Sequence, residues 1–175
     1  MGCVTIVSGS PGSGKSTLCA RLAAALDNGL HFETDLFYGF PAHPIDPTRP
    51  EAHAQNTTLL RAIGGAAAAF AEGGYAVYLD GIVGPWFLPT LLAALPDSLE
   101  VEYVILEVPL PLALARVRQR VGSGESARVA QMHRAFRELG EHAARVLDAS
   151  TGGPEALEVR FHERRASGCF RVARP

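Results

Sequence analysis

At 175 residues the chain has the length of one domain, and 47% hydrophobic with 19% charged residues is an ordinary α/β composition that excludes a disordered or fibrous chain. A formal charge of −2 and a pI near 6.3 give no broad basic field, so small-molecule partners are expected rather than nonspecific nucleic acid or a membrane surface. Cys3, Cys19 and Cys169 share no C-x-x-C spacing, which implies neither a disulfide framework nor a zinc site.

The run Cys3-Val4-Thr5-Ile6-Val7 reads as a buried first strand that starts almost at Met1. With no room for a signal peptide and an alanine-rich stretch at 66–71 too short to cross a bilayer, a reduced, cytoplasmic protein is expected. The next residues, Gly9-Ser10-Pro11-Gly12-Ser13-Gly14-Lys15-Ser16-Thr17, fit G-x-x-x-x-G-K-[ST], the phosphate-binding P-loop. Leu18, Leu22 and Leu26 follow at the spacing of a helix core face.

Each residue type in the loop has a separate physical task. Glycines let the backbone turn tightly, so that successive N–H groups line a concavity at the positive end of the following helix. Lys15 neutralises β- and γ-phosphates, the Ser16 hydroxyl ligates a magnesium ion bridging them, and Thr17 supports the α-phosphate side. An ordinary glycine-rich turn is the bland alternative, but a chance match in a chain this long is on the order of one in a hundred or rarer. A dinucleotide fingerprint on Gly12 and Gly14, with Asp35 about twenty residues on, fails because Thr17 holds the third glycine's place.

Asp27-Asn28-Gly29 stops the first helix, and residues 30–34 form a second strand ending at Asp35. Pro41, Pro44, Pro47 and Pro50 make the next segment a substrate-side loop, about 36–50. A long helix is predicted over 51–72, with Leu59, Leu60, Ile63 and Phe70 near one face and a kink at Gly64-Gly65. Strands are predicted over 75–79, ending at Asp80-Gly81, over 101–108, and over 144–147, ending at Asp148. Helices are expected over 87–95, 111–121 and 127–139, with a last one after Gly152-Gly153-Pro154 and an extended segment at 170–172. No repeat or linker divides the chain, so one domain over 1–175 is expected, a doubly wound sheet with ligands at the carboxyl ends of its strands.

Asp35 and Asp80 both fall at such ends. Asp80 is suited to hold magnesium and Asp35 to accept the proton of an attacking hydroxyl, against the common role of either as a helix cap or turn former. Arg116 and Arg120 share a helix face, and Arg128 lies beyond the Gly122-Ser123-Gly124 break, as in a lid over about 116–130 that closes on nucleotide; the plainer alternative is a solvated basic face. No two of the six histidines stand at metal-ligand spacing, although His43 and His53 flank the proline loop and are substrate candidates. Phe37, Tyr38, Trp86 and Phe87 are candidates for a substrate wall or, more plainly, core residues.

Taken together these residues resemble the P-loop small-molecule kinases, specifically the chloramphenicol phosphotransferase-like group, which is also similar to gluconate and shikimate kinases. The resemblance is strongest at Gly9 to Thr17, and extends to 75–81 and 104–120. It implies a three-layer P-loop NTPase fold, with a five-stranded parallel sheet in the order 2-3-1-4-5 and helices on both faces. It also implies ATP and magnesium as cosubstrates and transfer to a hydroxyl of a small metabolite or antibiotic-like molecule. By matching position Asp35 looks like the family's base and Arg120 like its lid arginine. The chain departs from the pattern at 41–50 and at Gly84-Pro85-Trp86, both on the substrate side. A monomer or homodimer is expected. A nucleotide-binding regulatory module and a nucleoside or polynucleotide-end kinase are the alternatives.

Overall fold

The computed structural model describes residues 2–173. Strand β1 (Cys3–Gly9) leads through the glycine loop into α1 (Lys15–Ala24), then β2 (Gly29–Glu33) and the single turn α2 (Asp35–Tyr38). Residues 41–49 form no regular element and are called the strap below. They are followed by α3 (His53–Glu72), β3 (Ala76–Asp80), α4 (Leu88–Leu92), β4 (Glu100–Glu107), α5 (Leu110–Val121), α6 (Ser126–Ala135), β5 (Val146–Asp148) and α7 (Gly153–Ala166).

All five strands are parallel, in the order β2-β3-β1-β4-β5, as the resemblance implied. β1 is central because it is apolar on both faces. Val4 and Ile6 pack with Ile63 and Leu91 from α3 and α4, whereas Val7 packs with Leu18 and Leu22 of α1 and Phe161 of α7. Helices on both sides of one sheet put every strand's carboxyl end on the same edge. There the strand ends are tied together: Thr34 N donates to Asp80 O at 2.9 Å and Gly81 N to Val7 O at 3.3 Å.

Several expectations about boundaries are corrected. α1 ends at Ala24, and Leu26 is 44% exposed rather than a core residue, because the chain must turn at once for Gly29 to enter β2. A Cβ on Gly29 would fall 2.0 Å from Ala23 O, so only glycine allows that turn. α3 runs unbroken through Gly64-Gly65; Gly64 instead admits the turn after α4, since its Cβ would lie 2.6 Å from Ala94 Cβ. Phe70 is 40% exposed and packs its ring edge against Phe32 and Tyr75.

α4 and α6 are shorter than expected, ending at Leu92 and Ala135. After α6, Phe136 turns inward and is buried among the residues under α3 and α4. Ala144 and Arg145 lie in a 3₁₀ turn, and the last strand includes Asp148. β5 pairs only with Ile105 to Glu107 of β4, and the amino half of β4 is met by the terminal segment. Tyr103 N donates to Phe170 O at 2.8 Å and Val172 N to Val101 O at 3.0 Å, in an antiparallel bridge.

Candidate active site

The glycine loop closes over the end of β1 because its glycines hold conformations barred to other residues. Gly12 (φ 82°) and Gly14 (φ 100°) are both left-handed, and a Cβ on Gly12 would lie 2.6 Å from Ala113 O. Lys15, 9% exposed, donates from Nζ to Ser10 O at 3.1 Å. Burial pushes its ammonium below the usual value; Asp80 and then Asp35 pull it back up, and Arg120 opposes them. Ser13 Oγ is buried with no hydrogen-bond partner among the described residues.

Pro11, Gly12, Gly14, Lys15, Ser16 and Thr17 line a cavity of about 570 Å³, whereas Gly9, Ser10 and Ser13 form the buried support beneath it. Asp80, 7% exposed, lies in the same cavity as the exposed Ser16 hydroxyl. Its Oδ2 is 3.1 Å from His31 Nε2, a contact that the sequence reading missed. The glycine cradle, the orphaned Ser13 hydroxyl and the pairing of hydroxyl with carboxylate suit a magnesium-bound polyphosphate, since magnesium prefers a few hard oxygen ligands completed by phosphate and water. Among the described residues no three His, Cys, Asp or Glu side chains gather as a self-sufficient metal site.

A second cavity, about 1190 Å³, adjoins the first. Asp35 and Arg128 line both. Tyr38, His53 and Trp86 line the larger one, with His53 stacked on Phe87 at 5.7 Å. Phe37 and His43 are not brought to it. α2 is a single turn in which Asp35 and Tyr38 share a face, so Phe37 turns away to pack on Phe32 at 5.6 Å and Phe40 at 5.1 Å, and His43 is exposed elsewhere on the strap.

The three arginines differ in what holds them. Arg120 lines the P-loop cavity, and Arg128 Nη1 is 3.5 Å from Glu125 Oε2. Arg116 also lines that cavity and reaches under the loop, donating to Gly12 O and Ala149 O, both at 3.3 Å, so that it braces the loop against the segment after β5.

The loop between β3 and α4 is a common wall of both cavities, and it too is braced. Ser8 Oγ donates to Val83 O at 2.8 Å and accepts from Val83 N at 3.0 Å, while Tyr103 Oη donates to the same carbonyl at 2.6 Å. The strap is pinned to α3 by Gln55, which exchanges two 2.8 Å bonds with the backbone of Ile45, and by Asn56 Nδ2, 2.8 Å from Pro47 O.

A family model described as an AAA domain matches residues 4–139. The chain belongs to that family. Its matched span runs from β1 through α6 and so contains the glycine loop, Asp35, Asp80 and the arginines. Among solved structures, an unliganded sugar kinase from Janibacter sp. HTCC2649 is 22% identical, with a TM-score of 0.72 and 95% of each chain covered. A gluconokinase from Sinorhizobium meliloti 1021 is 18% identical, at a TM-score of 0.69 over 95% of this chain and 93% of the other. The Pnkp1/Rnl/Hen1 RNA repair complex is matched at 16% identity and a TM-score of 0.64; 80% of this chain covers 45% of that one. These identities establish a shared fold. The curated proteins contain no match. Among the described residues no helix is long and apolar enough to cross a membrane.

Proposed function

We propose that the protein is a magnesium- and ATP-dependent phosphotransferase that moves the γ-phosphoryl group to a hydroxyl of a small molecule. The observation that carries this reading is the shared wall: Asp35 and Arg128 border both the P-loop cavity and a larger, mostly apolar one. A donor in the first and an acceptor in the second meet at Asp35. The kinase neighbours support the reading, which passes the fold they share into chemistry.

Loop amides and Lys15 bind the β- and γ-phosphates. Ser16 and Asp80 would hold the magnesium ion, which when bound neutralises charge on the phosphates. Asp35 takes the proton of the acceptor hydroxyl as its oxygen forms a bond to the γ-phosphorus; the bond from that phosphorus to the β,γ-bridging oxygen breaks, and its electron pair leaves with ADP. Arg120 and Arg128 stabilise the charge on the transferring group, while Arg116 holds the loop in shape. Tyr38, His53 and Trp86 form the acceptor wall. Cys3, Cys19 and Cys169 are free thiols, consistent with a cytoplasmic location.

The match to an RNA repair complex favours one second reading, a polynucleotide-end kinase. Incubation with magnesium and ATP against a metabolite and antibiotic library, and separately against a hydroxyl-ended oligonucleotide, tests both by mass spectrometry. The expected result is the mass gain of one phosphoryl group on a small molecule and none on the oligonucleotide. ATP consumption indifferent to every added compound would refute the transferase reading.

A further inference from the structure

Helix α6 carries two adjacent stripes with different neighbours. Arg128, Met132 and Ala135, at i, i+4 and i+7, line the larger cavity. One residue further on, Val129, His133 and Phe136 repeat that spacing and are held by the rest of the protein. Val129 is 1% exposed, in the buried cluster that contains Leu18 of α1 and Val117 of α5. Phe136, 8% exposed just past the helix end, lies in the cluster that contains Ile63 of α3 and Leu91 of α4, and packs on Trp86 at 5.6 Å. α6 therefore crosses the carboxyl edge of the sheet and is rooted in both layers of helices.

Between those roots, His133 Nε2 lies 2.9 Å from the carbonyl oxygen of Val108, the residue that follows β4. A carbonyl only accepts, so Nε2 carries the proton of this bond. Leu112 N and Ala113 N of α5 both donate to Pro109 O, which leaves Val108 O outside that helix's ladder. Val108 is 1% exposed, so removing the histidine strands a buried carbonyl. The segment leading into α6 is held quite differently. Gly122 is left-handed (φ 84°), and among the described residues a Cβ on Gly122 or Gly124 would meet no atom within 4 Å beyond its chain neighbours. Gly124 and Glu125 line the P-loop cavity.

We infer that α6 is a fixed strut and not part of a moving lid, that His133 is the residue positioning it, and that closure over a nucleotide is confined to residues 122–125. Arg128, one residue before the buried Val129, then keeps its place at the boundary of the two cavities whether or not nucleotide is bound. The acceptor wall at Met132, Ala135 and Trp86 is likewise formed in advance, so the transferring group meets a cation and a wall that need no rearrangement. That consequence for catalysis rests on the phosphotransferase reading, whereas the strut itself does not.

The test is hydrogen exchange of the full chain, read by mass spectrometry with and without magnesium and the non-hydrolysable nucleotide AMP-PNP. Amides of residues 130–136 should exchange slowly and at the same rate in both states, while the protection gained with nucleotide falls within 122–125. His133→Ala should speed exchange over 130–136 by at least about tenfold, and His133→Gln, which keeps an N–H donor, should restore most of the protection. Trp86, the chain's one tryptophan, gives a second reading: its emission should move to longer wavelength in the alanine variant and not in the glutamine one. Three results overturn the inference: protection that spreads over 130–136 when nucleotide binds, exchange there as fast as at 122–125 in the ligand-free wild type, or alanine and glutamine variants that behave alike. The first two are read on the wild type, so an alanine variant that fails to fold does not remove the test. Failure of AMP-PNP to bind sinks the phosphotransferase reading, while the strut is still decided on the ligand-free protein.

Discussion

His31 Nε2 lies 3.1 Å from Asp80 Oδ2, joining a histidine of the edge strand β2 to the buried carboxylate at the end of β3. One carboxylate oxygen is thereby occupied, and the side chain is held in one orientation next to Lys15 and Ser16. If Asp80 holds magnesium as proposed, a partner of this kind positions a metal ligand, and such partners commonly account for about 10- to 100-fold in metal affinity or activity. His31→Ala should weaken binding of magnesium–ATP by that order, whereas His31→Gln, which keeps a donor, should retain most of it. Calorimetry with and without magnesium checks this. A purely structural role would lower nucleotide affinity equally in both titrations.

Asp35 borders both cavities and opens α2. Asp35→Asn should lower turnover by roughly 10²- to 10⁴-fold, the usual contribution of a general base, with magnesium–ATP affinity nearly unchanged. As an acid in the first turn of a short helix, Asp35 contributes at most about 1 kcal/mol to stability. Steady-state kinetics beside thermal denaturation separates the two roles; full activity with a lowered Tm would leave Asp35 as a helix-end residue only.

Lys15 is a buried cation whose burial pushes its pKa down, so the loop holds it at an energetic disadvantage that phosphate relieves. Lys15→Ala should therefore abolish detectable ATP binding while leaving the ligand-free protein as stable or slightly more so. Paired calorimetry and denaturant melts check this. A strongly destabilised variant would mean that the lysine is a structural member of the loop.

Ser8 contributes two bonds and Tyr103 one to the backbone of Val83. Ser8→Ala strands a buried N–H and should cost about 1–3 kcal/mol, whereas Tyr103→Phe, which leaves the carbonyl its bond from Ser8, should cost about 1 kcal/mol. The two losses should not add, since they share one carbonyl. Urea melts of the single and double variants measure the coupling.

The His142 ring packs edge-on against Tyr103 at 5.5 Å, and burial, assisted by Arg145, pushes its pKa below the ordinary value while Glu141 pulls the other way. The fold thus prefers the neutral ring, and the unfolded chain binds the proton more readily, near its ordinary pKa of about 6.5. This contribution to stability is present above that pH and is lost as pH falls through the lower, folded value. Tm should drop on acidification from neutral pH, and His142→Gln should make the drop shallower; an identical profile for the variant would remove His142 from the account.

What was legible in the sequence was what is encoded locally. The nine residues from Gly9 to Thr17 announce their conformation and ligand by spacing alone, and the carboxyl ends of β2, two residues before Asp35, and of β3, at Asp80, follow from apolar runs meeting turn formers. Strand order came only with the resemblance, and without it the contact between His31 and Asp80 has no reason to exist. Once β2 is placed beside β3 in parallel, with His31 opposite Tyr78, the histidine stands two residues short of the carboxylate, and the pair becomes a reasonable guess. Helical spacing put Arg116 on one face with Arg120, and both line the P-loop cavity, but spacing does not report the carbonyl 33 residues away that Arg116 grasps. Leu26, Gly64 and Phe70 were misjudged because periodicity carries no information about where a neighbouring backbone passes. Nothing local reveals that Gln55 and Asn56 hold down the strap.

The strap lends no strand to the sheet and touches the phosphate machinery only through the cavity it helps to enclose, with Gln55 and Asn56 as its fastenings. On the proposed phosphotransferase reading, replacing it would alter the guest without retuning the engine. A chain built this way can drift from one class of compound to another by exchanging a single loop cassette, keeping its phosphate chemistry throughout.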